Sequence, residues 1–316
     1  MSRSYDDADV LRYCQHTVLK AMDNVRGIMR GSDRLLLKEV VNEQKTEKSE
    51  LNLTKGIDAR AEDLIVAALE KKLIRKAGVK ALTVFSEELG IKTIPERARE
   101  DDAELVVFID PIDGTEFIES LQGGWCLMAV YDRRQDEVVC AVAGDIFLNR
   151  LYWASRSGHA EALDFTTHSW FRLDGGPRAK EHLAGARVNF LTTKVSRYRS
   201  VASQTGLLDA IEENDGRINL SWGSNMIVQV AAGYADAAVE FTKGFATYDI
   251  LPGFFIGQQA GLTILDPRTG NPVGCKLDIK DIFATYRKNP KKPKRTPFVA
   301  ATTEALAREI LGLLTL

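Results

Sequence analysis

The sequence predicts an α/β protein, and two patterns carry that expectation. Short apolar runs that end in acidic residues read as buried strands, while longer stretches with apolar residues every three or four positions read as helices. The two kinds alternate along the chain. The sharpest instance is Glu104-Leu105-Val106-Val107-Phe108-Ile109, which has the character of a buried parallel strand. It runs into Asp110-Pro111-Ile112-Asp113-Gly114-Thr115 and then into a helical opening from Glu116 to Leu121. Two carboxylates therefore stand at a strand's C-terminal end beside a helix start, where open α/β sheets bind ligands. Pro111 removes a backbone donor and stiffens the turn, and Gly114 admits backbone angles that other residues resist. Carboxylates flanking a backbone carbonyl suit a hard cation such as Mg²⁺, and the helix N-terminus beside them suits a phosphate. The same residues also fit a plain strand-turn-helix, with Asp113 as N-cap and Glu116 completing a capping box.

Composition narrows the function classes. The 316 residues are 45% hydrophobic and 27% charged, which supplies a core for one large domain or for two lobes sharing an interface. A net charge of −2 speaks against a dedicated nucleic-acid binder. Cys14, Cys126, Cys140 and Cys275 are scattered without a C-x-x-C, the pattern of reduced, buried thiols in a cytoplasmic protein. The four histidines form no zinc-type cluster. No apolar leader follows Met1, and no apolar run approaches the roughly 20 residues of a membrane span. The dinucleotide, P-loop and serine-hydrolase signatures are all absent.

Taken in order, the spacing predicts a first helix from Ala8 to Met29, stopped at Gly31, and a second from Leu35 to Glu47. An extended piece, Asn52 to Asp58, delivers Thr54 and Asp58 to the start of a third helix that Gly78 ends; Asp58 there has the position of an N-cap. Ala81 to Phe85 reads as a strand entering Ser86-Glu87-Glu88, and Glu96 to Glu104 as a solvated acidic connection. Strands are expected at Trp125 to Val130, Val138 to Ala143 and Leu151 to Ala154. His159 reads as a loop residue. From Leu163 to Gly185 the pattern breaks up, which places a boundary between lobes 1–185 and 186–316.

The second lobe restarts with a strand at Val188 to Thr192. Ser224 or Asn225 stands before a helix from Met226 to Gly233, followed by a strand from Ala235 to Phe241. Tyr248-Asp249 opens a further helix that ends near Gly261, with Pro252 expected in its first turn. A strand at Leu262 to Leu265, a solvated basic loop at Arg287 to Arg295, a strand at Phe298 to Ala301 and a helix at Thr303 to Leu314 complete the chain.

Asp58, Glu87, the pair Asp110 and Asp113, and Asp249 each follow an extended segment or begin a helix. Strands running parallel would bring several of them together. Packed carboxylates repel, and a cluster of them persists when cations neutralise it.

Asp110-Pro111-Ile112-Asp113-Gly114-Thr115 resembles the central motif of the inositol monophosphatase-like family of Mg²⁺-dependent, lithium-sensitive phosphatases. Thr54 to Asp58, Ser86-Glu87-Glu88, Gly223-Ser224 and the Asp249 segment followed by Gly261 extend the resemblance over roughly residues 50 to 270. The resemblance implies a layered α-β-α-β-α sandwich of the inositol monophosphatase and fructose-1,6-bisphosphatase type, usually a homodimer. It implies Glu87, Asp110, the Ile112 carbonyl, Asp113 and Asp249 as ligands of two to three Mg²⁺ ions. It also implies catalysis by Thr115 and Asp58 with Glu87 beside them, and a substrate surrounded by Asp113, Gly114, Thr115, Ser224, Glu240 and Asp249.

In place of the family's common Trp-Asp followed by small alanines, this chain has Tyr248-Asp249-Ile250-Leu251-Pro252, a bulkier wall. The spacing from Glu240 to Asp249 is also longer than in the inositol enzymes. Ser86-Glu87-Glu88 and Glu116-Phe117-Ile118 resemble the branch that cleaves 3′-phosphoadenosine 5′-phosphate. The expected function is hydrolysis of a small phosphate ester, inositol monophosphate first. A bisphosphate nucleotidase or fructose-1,6-bisphosphatase is the enzymatic alternative, and a phosphatase-like regulatory or binding protein the non-enzymatic one.

Overall fold

In the structure, a computed structural model, residues 5–31, 39–45, 51–176 and 179–316 are described, residues 40–45 and 51–55 by their backbone alone. The first helix, α1 (Asp7–Arg30), starts at Asp6, whose carboxylate accepts from the Ala8 N–H at 2.8 Å. A hairpin of β1 (Val40–Lys45) and β2 (Leu51–Lys55) follows. The helix expected from Leu35 to Glu47 is therefore a strand over 40–45, Glu39 is in neither helix nor strand, and positions 35–38 and 46–47 lie outside the described residues. Val40 and Val41 favour the extended form, and pairing with β2 outweighs the helical spacing.

Helix α2 (Gly56–Leu69) leads to β3 (Leu82–Ser86), β4 (Gly90–Ile94), β5 (Leu105–Asp113), the short helix α3 (Thr115–Glu119), β6 (Trp125–Asp132), β7 (Glu137–Asp145), β8 (Arg150–Ser155), β9 (Ala160–Asp164) and β10 (Ser169–Arg172). These eight strands, β3 to β10, form one sheet in the order β10-β9-β8-β7-β6-β5-β3-β4. β5 is parallel to β3 and antiparallel to β6, so the expected parallel character holds on one side alone. In the stretch from Leu163 to Gly185, whose pattern appeared broken, β9 ends at Asp164 and β10 pairs back onto it.

The chain continues through β11 (Arg187–Leu191), α4 (Val195–Ala202), α5 (Thr205–Glu213), β12 (Arg217–Ser221), α6 (Met226–Ala231), β13 (Ala237–Ala246), α7 (Thr247–Gln259), β14 (Thr263–Leu265), α8 (Ile279–Lys288), β15 (Arg295–Ala301) and α9 (Glu304–Leu313). Its sheet has the order β12-β11-β13-β15-β14. Pro252 is the sixth residue of α7, beyond the first turn expected for it, and leaves the Tyr248 carbonyl without its helical donor. The basic run is divided: Arg287 and Lys288 end α8, and Arg295 begins β15.

Alternation along the strands stacks five layers. Leu105, Val107 and Ile109 of β5, with Cys126, Met128 and Val130 of β6, pack against α1 and α2. Val106, Phe108, Leu127 and Ala129 face the opposite way, onto Ile227, Leu251 and Phe254 of α6 and α7. The same middle layer takes Phe298 and Ala300 from β15, while Val299 and Ala301 turn outward to Leu207, Leu306 and Ile310 of α5 and α9. The order is thus α-β-α-β-α, as expected. Helix α7 lies between the sheets, apolar on nearly every side and buried over most of its length. Truncating Phe108, which is fully buried, would cost about 3–5 kcal/mol.

Candidate active site

The acids meet where β3 and β5 end. The last residue of β3, Ser86, pairs in parallel with Ile109, so Glu87 and Asp110 leave adjacent strands side by side. Beyond Ile109 the register slips: Asp110 faces Leu127, but Asp113 faces Trp125, which inserts an extra residue on β5. Pro111, lacking an N–H, is tolerated at such a bulge. Asp110, Ile112, Asp113, Gly114 and Thr115 consequently line one cavity of about 510 Å³, the size of a small-molecule cleft.

Asp249, the third residue of α7, enters from the other sheet. Its Oδ2 accepts from the Ala246 N–H at 3.1 Å, while Oδ1 is buried without a hydrogen-bond partner. One oxygen each from Glu87, Asp110 and Asp249 lie within 4.8 Å of one another. Burial first, and then the repulsion of Glu87 and Asp113, push the Asp110 carboxyl well above the usual range. Burial followed by Glu87 does the same to Asp249. Asp113 is pushed up to about 6 by burial, against the hydrogen bonds from Ser224 that lower it.

Asp113 is not a helix cap. The N-cap of α3 is Gly114, at φ 90°, where a left-handed backbone lets the chain turn from strand to helix. The Asp113 Oδ2 instead accepts from the Ser224 N–H at 2.8 Å and from its hydroxyl at 3.1 Å. Asp58 is likewise no N-cap, since α2 begins two residues earlier. Its buried carboxylate accepts from the Thr115 hydroxyl at 2.8 Å; the Ile112 carbonyl is the second acceptor, at 3.1 Å.

Two expected substrate contacts lie elsewhere. Glu240 is buried, and its Oε1 accepts from Thr242 N–H, Thr242 hydroxyl, Lys243 N–H and Gly244 N–H at 2.7–3.0 Å. It closes the irregular turn where β13 slips against β15 between Glu240 and Phe245, and it does not line the cleft. Ser224 is buried behind Asp113 and does not line the cleft either. Other lining residues were not foreseen. Phe117 and Trp222 stack with centroids 4.6 Å apart, and the indole lies so close over Gly114 that a Cβ there would meet it at 2.2 Å. Lys194, Arg197, Lys243 and Arg295 complete the wall. For Arg295 a signal was available, because it stands just ahead of the apolar run from Phe298 to Ala301.

The donor set fits a divalent cation. Every candidate ligand is a hard oxygen, the carboxylates are repelled by one another, and the Asp249 Oδ1 is an orphan buried acceptor. A cation among Glu87, Asp110 and Asp249 would satisfy all three conditions.

The model of the inositol monophosphatase family matches residues 14–310. A search of curated proteins returns no match. Among solved structures of the same fold, the extragenic suppressor protein SuhB from Bartonella henselae is 17% identical, with a TM-score of 0.68 over 96% of this chain and 97% of that one. The IMPase of Thermotoga maritima is 18% identical, with a TM-score of 0.65 over 96% of each chain. Inositol monophosphatase II from Staphylococcus aureus, solved with inositol monophosphate bound, is 15% identical, with a TM-score of 0.62 over 96% and 92%. These structures share the fold with this chain.

Proposed function

The chain belongs to the inositol monophosphatase family, and we propose that it is a Mg²⁺-dependent phosphomonoesterase acting on a small phosphate ester, with inositol monophosphate the first candidate. The observation that supports this reading is the placement of three convergent carboxylate oxygens in one cleft with Thr115, whose hydroxyl donates to the buried Asp58 behind it. Glu87, Asp110, the Ile112 carbonyl, Asp113 and Asp249 would hold two to three cations. Bound there, such cations would supply positive charge to the phosphate oxygens and acidify a water.

The chain's own residues do the rest. Thr115 commits its hydroxyl proton to Asp58, because a charged acceptor at 2.8 Å outcompetes the Ile112 carbonyl at 3.1 Å. The lone pairs of Thr115 Oγ1 are then free to accept from a water and orient it. As that water attacks phosphorus and the ester P–O bond breaks, the water's proton passes to Thr115 Oγ1 and the threonine proton to Asp58, while the departing alkoxide takes a proton from solvent. The backbone N–H groups of Gly114 and Thr115 would hold the phosphate, and Ser224 would hold Asp113 in place. The Trp222–Phe117 stack shields this wall of the cleft. A homodimer in the cytoplasm is part of the same proposal; no helix among the described residues is long and apolar enough to cross a membrane.

Phosphate release from inositol 1-phosphate, 3′-phosphoadenosine 5′-phosphate and fructose 1,6-bisphosphate, with Mg²⁺ and with chelator, tests the reading. Mg²⁺-dependent turnover of one or more esters is expected. No turnover of any of them would favour the phosphatase-like binding protein.

A further inference from the structure

We propose that Glu62 of α2 is a positioning residue for the cation site, because it holds the hairpin loop that presents Glu87. This rests on the phosphatase reading above and deepens it by assigning what keeps one ligand in place.

The pattern of β3 creates the need. Leu82 and Val84 pack with α1 and α2, Phe85 packs into the middle layer, and alternation turns Ser86 back toward α2. A fully buried serine at the end of an apolar row requires a hydrogen-bond partner. Glu62 supplies it: its Oε1 accepts from the Ser86 hydroxyl and, at 3.1 Å, from the Leu89 N–H. Ser86 pairs with Gly90 across β3 and β4, so Glu87, Glu88 and Leu89 form the loop of that hairpin. One carboxylate oxygen thus ties the residue before the loop to the last residue in it, with Glu87 between them. β4 is the last strand of its sheet, so the loop lies at a sheet edge, where an anchor from α2 replaces a neighbouring strand.

Helix stability does not account for this acid. Asp58 and Glu62 are both buried and stand four residues apart on α2, one above the other on the same face, where like charges repel. What the two share is the holding of a strand end. Asp58 accepts from Thr115, which follows β5, and Glu62 holds the loop that follows β3. β3 and β5 are parallel neighbours, so one face of α2 fixes the two segments from which Glu87 and Asp110 emerge. Groups that orient a cation's ligands from behind commonly set the affinity of the site.

The test reads Mg²⁺ affinity by calorimetric titration, with Asp110→Asn identifying the heat that belongs to the cleft. Glu62→Ala is expected to weaken that binding about tenfold or more. The Mg²⁺ concentration for half-maximal rate should rise in step, with KM for the ester at saturating Mg²⁺ little changed. Glu62→Gln keeps an oxygen for both donors and should restore most of the affinity. In a Glu87→Ala background, Glu62→Ala should have no further effect, because the side chain it positions is gone. Ser86→Ala removes one of the two bonds and should weaken Mg²⁺ binding by a smaller factor; it decides the matter if Glu62→Ala does not fold. Parent-like Mg²⁺ affinity in folded Glu62→Ala, or in Ser86→Ala in its place, would overturn the role and leave the phosphatase reading intact. An equal loss with and without Glu87 would also overturn it, by showing a general loosening of the fold. Turnover is not needed for this readout. If the parent binds Mg²⁺ and hydrolyses no ester, the phosphatase reading fails and the affinities still decide on Glu62. A parent protein that binds no Mg²⁺ in the cleft refutes both.

Discussion

Ser224 donates both its backbone N–H and its hydroxyl to the same oxygen of Asp113, at 2.8 and 3.1 Å, joining the segment before α6 to the end of β5. The preceding residue makes this approach possible. Gly223 has φ +73°, and a Cβ there would lie 2.4 Å from Asp113 Oδ2. Gly223→Ala therefore combines backbone strain of about 1–3 kcal/mol with displacement of Asp113. Ser224→Ala removes one hydrogen bond, worth about 1.5–3 kcal/mol to a charged acceptor, and keeps the N–H contact. We expect kcat at saturating Mg²⁺ to fall further in Gly223→Ala than in Ser224→Ala, with both variants folded by circular dichroism. The reverse order would show that the hydroxyl, and not the close approach, positions Asp113.

Thr115 is expected to act on the rate more than on cation binding. Thr115→Ala should lower kcat by about 10²-fold, the scale of lost general-base assistance. Thr115→Ser keeps a hydroxyl within reach of Asp58 and should recover much of that loss. The Mg²⁺ concentration for half-maximal rate should move less in Thr115→Ala than in Asp110→Asn. A Thr115→Ala enzyme with normal kcat and a raised Mg²⁺ requirement would reverse these roles.

Glu240 distinguishes a structural acid from a substrate contact. Four donors of its own turn converge on one oxygen of Glu240, so Glu240→Ala would leave the buried Gly244 N–H unsatisfied at about 1–3 kcal/mol and release the partly exposed Thr242 and Lys243 donors. Lowered thermal stability with KM little changed is the expected outcome. A large rise in KM at unchanged stability would return Glu240 to the substrate.

These corrections show which information is local. Asp110 to Thr115, Glu87 and Asp249 were legible because each acid sits directly after an apolar run or at a helix start, and backbone geometry then fixes where it emerges. The individual strands and helices, among them β5, β6, α1 and α9, were legible through their apolar patterning, whereas their stacking into five layers was implied by the resemblance to the inositol monophosphatase-like family. Partners chosen across the fold were not. Nothing near Glu240 in sequence says that β13 slips there against β15, and nothing near Asp113 says that Ser224, rather than the first turn of α3, will take its oxygen. Strand β1 was read as helix because pairing with β2 is a long-range fact, and Trp222 reveals its role once it is stacked on Phe117.

The acid cluster should make the protein less stable without a divalent cation and more stable with one. Asp110, Asp113 and Asp249 are held above the ordinary carboxyl range in the folded state, Asp113 at about 6. For a raised carboxyl the folded state binds the extra proton, so cation-free stability is greatest at low pH and declines as pH rises through about 6. A cation reverses the penalty by replacing the protons, so its stabilising effect should grow over the same interval. At pH 7.5 and 100 times Kd, Mg²⁺ would contribute about 2.7 kcal/mol, a rise in Tm on the order of 5 °C. Asp110→Asn removes one of the repelling charges along with one of the ligands. It should therefore melt above the parent protein in chelator and below it in Mg²⁺, two curves that cross as the cation is titrated. Thermal melts of both proteins at pH 5.5 and 7.5, with chelator and with Mg²⁺, decide the matter. If Asp110→Asn is the less stable protein under every condition, Asp110 is held by structural hydrogen bonds and its charge does not oppose folding.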